Sequence, residues 1–219
     1  MNLSNKKRAT KSEVPGKIQI IAGHWRGRKI SVASSPGLRP TGSRVRETLF
    51  NWLAPYINAA RCLDLFAGSG ILSFEALSRG AKNCTALDNH QDAIGHLASN
   101  SNMLGSDLNI VHTDAISYLS QKNLNSPYDV VFVDPPFAGT LYNEACALLE
   151  ENQWLTASAM IYCEISSNCV DFSAPDNWRL EKDKTTGDVR YMLYSRFETS
   201  SLFQYYASSS TLINTGLKS

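Results

Sequence analysis

The chain lacks the hydrophobic and cysteine patterns that mark membrane, secreted and metal-binding proteins. No apolar run in its 219 residues approaches the length of a transmembrane helix. No apolar segment of a signal peptide follows the basic residues Lys6, Lys7 and Arg8. The five cysteines form no C-x-x-C pair, and the four histidines have no metal-ligand spacing. We therefore expect a cytoplasmic protein with reduced thiols, no bound metal and no membrane partner.

Acidic residues are scarce in the first fifty positions. That segment holds eleven Lys and Arg residues against two acids, a formal charge of +9, whereas the remaining chain has ten basic and eighteen acidic residues. A basic segment of this kind is typical of proteins that bind polyanions. We expect residues 1–17 to form a flexible basic leader and residues 18–54 to form a module that contacts nucleic acid.

Two kinds of pattern occur in this module. Residues 18–32 interleave apolar and basic residues around a turn at 23–27, which predicts two short strands. A helix is predicted at 44–53, with Thr41 or Ser43 as its N-cap. Apolar residues spaced one helical turn apart would form its buried face: Val45, Leu49 and Trp52.

Beyond residue 60, short apolar runs alternate with helical patterns, as in β-α-β units with a parallel sheet. Strands are predicted at 61–66, 83–87, 108–112, 128–133 and 159–165. Helices are predicted at 70–79, 90–104, 114–122 and 140–150. A turn at 185–188 between apolar stretches at 178–181 and 189–197 predicts a closing antiparallel hairpin. We expect an α/β domain at 55–198, with a mostly parallel seven-stranded sheet, and a flexible tail at 199–219.

A glycine turn follows the first strand of this domain, in the segment Asp-Leu-Phe-Ala-Gly-Ser-Gly at 64–70. Glycines let the backbone turn sharply and approach a ligand closely at the start of a helix. The third glycine of the dinucleotide fingerprint is missing, since Ser73 occupies its place. Asp64 would repel a pyrophosphate. It would attract a cationic ligand such as S-adenosylmethionine, which carries an ammonium and a sulfonium group and no phosphate.

Two further acids end the strands that follow. Asp88 could accept hydrogen bonds from ribose hydroxyls, and Asp114 could accept one from an adenine amine. An aspartate at such a position is equally often the N-cap of the next helix. Because ligands of open α/β sheets bind at the carboxyl ends of the strands, three such acids favour a nucleoside cofactor. The candidate cofactor-binding residues are Asp64, Phe66, Gly68, Gly70, Asp88 and Asp114.

The most distinctive motif is Asp134-Pro135-Pro136-Phe137, directly after the apolar run at 128–133. Proline has no N–H, so this segment presents carbonyl acceptors, which suit an exocyclic amine. Such an amine is a weak nucleophile because its lone pair is delocalised into the ring. The Asp134 carboxylate and the Pro135 carbonyl would accept from both N–H groups and favour a pyramidal nitrogen, while Phe137 would stack on the base. The candidate catalytic residues are Asp134, Pro135 and Phe137.

The order of these motifs resembles that of class I S-adenosylmethionine-dependent methyltransferases acting on exocyclic amines. Within them, the chain is similar to the bacterial 16S rRNA guanine-N2 methyltransferases usually called RsmD. The similarity covers about residues 18–197, and its matching segments are 23–29, 38–41, 45–51, 64–70, 75–81 and 131–137. It implies a Rossmann-like methyltransferase fold with an N-terminal hairpin and helix module.

The resemblance also implies a substrate and its contacts. The reaction would transfer a methyl group to the 2-amino group of guanine 966 of 16S rRNA, on assembled or assembling 30S particles. The candidate substrate-binding residues are Arg26, Arg28, Lys29, Arg39, Arg44 and Arg46. Arg46 could instead pair with Glu75 or Asp134 inside the protein, and Arg39 could cap a helix.

Two alternative functions stay open, as does the oligomeric state. The Asp-Pro-Pro-aromatic motif also serves adenine N6 in DNA methyltransferases, although the chain has no insertion large enough for a target-recognition region. A non-catalytic RNA-binding factor of ribosome assembly could keep the same fold.

Overall fold

The structure, a computed structural model, describes residues 16–32, 42–136 and 141–198. In these ranges the strands are β1 (Gly16–Gln19), β2 (Lys29–Val32), β3 (Arg61–Asp64), β4 (Asn83–Asp88), β5 (Asn109–His112), β6 (Tyr128–Val133), β7 (Leu155–Ser166), β8 (Trp178–Thr186) and β9 (Val189–Arg196). The helices are α1 (Ser43–Trp52), α2 (Ile71–Ser78), α3 (Gln91–Leu104), α4 (Ala115–Leu119) and α5 (Leu141–Glu151).

Strands β3 to β9 form one sheet with the order β5-β4-β3-β6-β7-β9-β8. The first five strands in this order are parallel, and β9 runs antiparallel to both of its neighbours. This confirms the expected α/β fold with its antiparallel C-terminal hairpin. The strand order reverses between β3 and β6, the position where open α/β sheets bind their ligands.

The sheet separates two hydrophobic clusters because side chains alternate between its faces. On β6, Val130 and Phe132 join the cluster that contains α1 and α2, whereas Val131 and Val133 join the cluster beneath α4 and α5. All four side chains are fully buried. Burying an apolar side chain of this kind contributes about 1.5–3 kcal/mol, so the strand that ends at the Asp-Pro-Pro segment is held firmly.

The N-terminal hairpin of β1 and β2 rests on helices α2 and α3. Ile20 and Ile30 are fully buried in the same cluster as Phe74 of α2. The backbone N–H of Ile21 donates to Glu75 Oε1 at 2.7 Å. The N-terminal module therefore shares a hydrophobic core with the sheet.

Several element boundaries differ from the sequence-based expectation. Strand β7 begins four residues early, at Leu155, and β8 continues through a polar, exposed stretch to Thr186. Helix α4 ends at Leu119 rather than at residue 122. Gly42 is the N-cap of α1 and Ser43 is its first residue, so Ser43 does not cap the helix as predicted. Thr41 lies outside the described residues.

Among the described residues, no helix has both the length and the apolar character that crossing a membrane requires. The same part of the chain contains no group of three His, Cys, Asp or Glu residues arranged to hold a metal ion.

Candidate active site

Four aspartates lie at or just beyond the carboxyl ends of β3, β4, β5 and β6. Asp64 and Asp88 are the last residues of β3 and β4, and Asp114 and Asp134 follow β5 and β6 closely. Because these four strands are parallel neighbours, the acids share one edge of the sheet. The structure thus brings together the carboxylates that the sequence singled out.

Asp64 supports the glycine turn from the protein interior. Its side chain is 2% exposed, and its Oδ2 accepts a hydrogen bond from Ser73 Oγ at 2.7 Å. The backbone N–H groups of Phe66 and Ser73 also donate to this carboxylate. Burial raises the pKa of Asp64 to about 6 despite these hydrogen bonds. Ser73, at the position of the missing glycine, therefore orients the acid.

Asp88 ties the glycine turn to the end of β4. Its Oδ2 accepts from the backbone N–H of Gly68 at 2.8 Å, and its Oδ1 accepts from that of His90 at 2.8 Å. Ala67 adds a backbone hydrogen bond to the carbonyl of Leu87 at 2.9 Å. The carboxylate therefore fixes the shape of the turn, a role that the sequence did not reveal.

Gly70 is the N-cap of α2 and has a left-handed backbone, with φ +75°. A Cβ atom here would lie 2.3 Å from Leu97 Cδ2 and 2.8 Å from Phe74 Cε2. Only glycine fits both the conformation and the space. Phe66, within the turn, is half-buried and packs against the cluster beneath α4 and α5.

Asp114 is the N-cap of α4, where its Oδ1 accepts from the backbone N–H of Ser117 at 2.8 Å. The residue is exposed. One of its oxygens therefore has the capping role that the sequence left open, and the predicted adenine contact stays a prediction.

The Asp-Pro-Pro segment begins where β6 ends. Asp134 is partly buried, Pro135 is buried and Pro136 is exposed. Phe137 lies outside the described residues, so its stacking on a base stays a prediction. A cavity of about 220 Å³ opens beside the two prolines. Its other walls come from Tyr142, from the end of β7 and from residues 168–171.

A buried acid that the sequence analysis missed lines this cavity. Glu164 of β7 is 5% exposed, and its Oε2 accepts a hydrogen bond from Tyr162 Oη at 2.6 Å. Burial raises the pKa of Glu164. The available signal was a single acid within the apolar run at 159–165.

The predicted substrate-binding residues that the structure describes differ in their exposure to solvent. Arg26, Arg28, Lys29 and Arg44 are exposed, and Arg28 Nη2 donates to the carbonyl of Met103 at 3.0 Å. Arg39 lies outside the described residues.

The structure contradicts the prediction that Arg46 binds substrate. Arg46 is 3% exposed and pairs with Glu75 Oε1 at 2.8 Å, and its Nη1 also donates to the carbonyl of Gln19 at 3.1 Å. Burial lowers the pKa of Arg46, whereas Glu75 opposes that shift. The expectation that Arg46 contacts RNA is therefore wrong, because its guanidinium group is taken up by an interior ion pair.

Comparison with known proteins places this site in a family. The family model described as Conserved hypothetical protein 95 matches residues 18–195. The chain belongs to this family. Its relatives from Haemophilus influenzae and Escherichia coli K12, both called Ribosomal RNA small subunit methyltransferase D, are each 48% identical to it. The first alignment covers 82% of this chain and 94% of the relative, and the second covers 83% and 91%.

A solved structure supports the same relationship. The Escherichia coli protein yhhF is 48% identical and superposes with a TM-score of 0.76, over 84% of this chain and 100% of that one. The expected family membership is confirmed, and the chain is an S-adenosylmethionine-dependent methyltransferase.

The described residues fit this cofactor. The backbone N–H groups of Phe66 and Gly68 donate to the carboxylates of Asp64 and Asp88, and that of Gly70 donates to the carbonyl of Ala67 at 2.7 Å. They are therefore already engaged within the protein and are not left to bind a pyrophosphate. An edge rich in carboxylates favours a positively charged nucleoside instead.

Proposed function

We propose that the protein methylates the exocyclic 2-amino group of guanine 966 in 16S rRNA, on assembled or assembling 30S particles in the cytoplasm. The observation that carries this proposal is the position of Asp134-Pro135-Pro136 beside the glycine turn, at the point where the strand order reverses. The names of the 48% identical relatives, ribosomal RNA small subunit methyltransferases, support the choice of rRNA.

The cofactor-binding residues act mainly through charge and shape. Asp88 and Asp114 would accept hydrogen bonds from the ribose and the adenine amine, and Asp64 would stabilise the cationic end of the cofactor from beneath the turn. Phe66, Gly68 and Gly70 would bring the backbone close to the ligand. S-adenosylmethionine supplies the methyl group.

The target amine is held by acceptors. The Asp134 carboxylate and the Pro135 carbonyl would accept from its two N–H groups, which turns the nitrogen lone pair out of conjugation and towards the methyl group. Phe137 would stack on the base. After transfer the nitrogen carries a surplus proton, which Asp134 is positioned to accept. The remaining acceleration comes from fixing nitrogen and methyl at reacting distance.

The exposed side chains Arg26, Arg28, Lys29 and Arg44 would contact RNA phosphates. A basic hairpin and the start of α1 present them to solvent. Arg39, outside the described residues, would extend this set. Contacts of this kind make the affinity depend on salt.

The decisive experiment uses 30S subunits from a strain that lacks this methylation and S-adenosylmethionine with a labelled methyl group. Digestion of the rRNA should yield labelled N2-methylguanine, and primer extension should place it at position 966. Labelled N6-methyladenine would contradict the guanine assignment, and no label in rRNA at all would contradict the rRNA assignment.

A variant of the same experiment tests the site. Asp134→Ala should lower the methylation rate by more than about 100-fold, because the amine loses its carboxylate acceptor, while cofactor affinity stays within a few-fold. Asp176→Ala is the matched control, since Asp176 is an exposed aspartate just before β8, near the opposite edge of the sheet. Undiminished turnover of Asp134→Ala would remove Asp134 from the site.

A further inference from the structure

Glu164 is a buried carboxylate whose charge is not balanced by an ion pair among the described residues. Within that part of the chain, its one hydrogen bond comes from Tyr162 Oη and engages Oε2. Oε1 accepts none there. Burying a carboxylate with so little compensation is unfavourable, and such groups are found preferentially where they meet a ligand.

The register of the sheet places Glu164 beside the amine-holding segment. Phe132 pairs with Tyr162 and Val133 with Cys163 on the parallel strands β6 and β7. Extending this register by one residue, just past the end of β6, brings Asp134 level with Glu164, and both acids add to the burial that raises the pKa of Tyr162. Residues at matching positions of neighbouring strands point to the same face, and the strands lie only about 4.8 Å apart. The two acids therefore project from one face of the sheet edge.

The cavity beside the two prolines extends to Glu164. Pro135, Pro136 and Glu164 all line it, so a ligand group bound in this cavity would lie near both the Glu164 carboxylate and the two prolines. The remaining oxygen, Oε1, is available to a ligand because Tyr162 holds the other one. The site thus offers a second acceptor next to the one that binds the amine.

The edges of the two candidate bases differ at the atom next to the amine. In guanine the 2-amino group adjoins N1–H, which is a donor. In adenine, the ring nitrogen that adjoins the 6-amino group is N1, a bare acceptor. A carboxylate accepts from the first and repels the lone pair of the second.

We propose that Glu164 accepts a hydrogen bond from N1–H of the target guanine and is the residue that selects guanine over adenine. This role rests on the proposed guanine-N2 activity. Tyr162 is a positioning residue, because it orients the Glu164 carboxylate and does not itself reach the base.

The test compares guanine with 2-aminopurine at the target position. 2-Aminopurine keeps the amine but has a bare N1 and no O6, so a change at Glu164 cannot remove an N1–H contact from it. 30S subunits are reconstituted with 16S rRNA that carries either base at position 966, and single-turnover methylation rates are measured. For each base, the methylation rate of the variant is divided by that of the wild-type enzyme. The intrinsic reactivity of the base cancels in this ratio.

Glu164→Gln should lower the rate on guanine by roughly 10- to 100-fold, the loss expected for a hydrogen bond to a charged acceptor, and leave the rate on 2-aminopurine within about threefold. Tyr162→Phe should change the ratio in the same direction by a smaller factor. Glu144→Gln, at an exposed position of α5, is the control and should change neither rate. Cofactor affinity should be unchanged in all three variants.

Equal losses on both bases, or no loss on either, would overturn the role of Glu164 while leaving the guanine-N2 activity intact. Wild-type enzyme that yields N6-methyladenine from native subunits would overturn both, because the proposed contact needs an N1–H donor, which adenine lacks. If Glu164→Gln does not fold, the ratio measured with Tyr162→Phe decides, and an unchanged ratio would again contradict the proposal.

Discussion

The carboxyl group of Asp64 is almost completely buried, and hydrogen bonds rather than a cation keep it in place. Ser73 Oγ and two backbone N–H groups donate to it. Desolvation is the largest influence and raises its pKa to about 6. Most Asp64 side chains are therefore ionised at pH 7.5 and protonated at pH 5. A cationic cofactor that binds nearby favours the ionised form.

Cofactor affinity should consequently depend on pH. As the pH falls through about 6, Asp64 takes up a proton, and the affinity should fall by up to about tenfold per pH unit. Titration calorimetry with S-adenosylmethionine between pH 5 and 8 measures this slope. Asp64→Asn should bind more weakly at pH 8 and show a flatter slope, whereas Asp107→Asn, at an exposed position before β5, should behave as the wild type. A wild-type affinity that is constant from pH 5 to 7 would contradict this account.

The raised pKa of Asp64 also makes the stability of the cofactor-free fold depend on pH. The folded state holds the Asp64 proton more tightly than the unfolded chain, whose aspartates titrate near 3.9. Stability contributed by this group is present below that value and is lost as the pH rises through about 6. Bound cofactor should offset this loss.

At the scale of elements, the turn between β3 and α2 depends on two kinds of support. Asp64 and Asp88 hold its N–H groups, and Gly70 brings the start of α2 against Leu97 of α3. The loop is thereby shaped before any ligand arrives, so little conformational entropy remains to be lost on binding.

Gly70→Ala should therefore damage the fold as well as the site. The new methyl group would meet Leu97 and Phe74, and the left-handed backbone disfavours any side chain. We expect a loss of about 2 kcal/mol or more in the free energy of unfolding, measured by urea denaturation. Gly95→Ala is the control, because Gly95 lies within α3 with open space around its Cβ position, and it should be neutral or stabilising by up to about 1 kcal/mol. Equal effects of the two changes would refute the packing argument.

The elements best predicted from the sequence are those that local chemistry delimits. Six residues at 128–133 match β6 without error, because an apolar run ends there at a pair of prolines. The start of β7 was missed because its first residues include small polar ones whose burial depends on neighbouring strands. Glu164 was missed for the same reason. Only the pairing of β7 with β6 brings it close to the strand end that leads into Asp134.

At the scale of the whole molecule, the basic hairpin is fixed against helices α2 and α3 by hydrogen bonds and close packing, and not only by its chain connection. The backbone N–H of Trp25 donates to Ser78 Oγ at 2.9 Å, and the backbone N–H of Ser31 donates to Asn100 Oδ1 at 3.0 Å. Gly23 approaches α2 so closely that a Cβ would lie 1.9 Å from the Ser78 carbonyl oxygen. The hairpin charges are thus held in a fixed position relative to α2 and α3, which suits recognition of a folded RNA.

Replacement of Arg26, Arg28 and Lys29 by Ala should weaken RNA binding and flatten its dependence on salt. Each lost phosphate contact lowers the slope of log affinity against log salt by about 0.7–0.9, so the triple variant should lose about 2 to 3 units of slope. Filter binding of 30S subunits between 50 and 300 mM KCl measures it. The control replaces the exposed Arg179, Lys182 and Lys184 of β8, at the far edge of the sheet, which removes the same charge. If both variants lose the same slope, the effect is one of net charge, and the hairpin does not form the RNA contact.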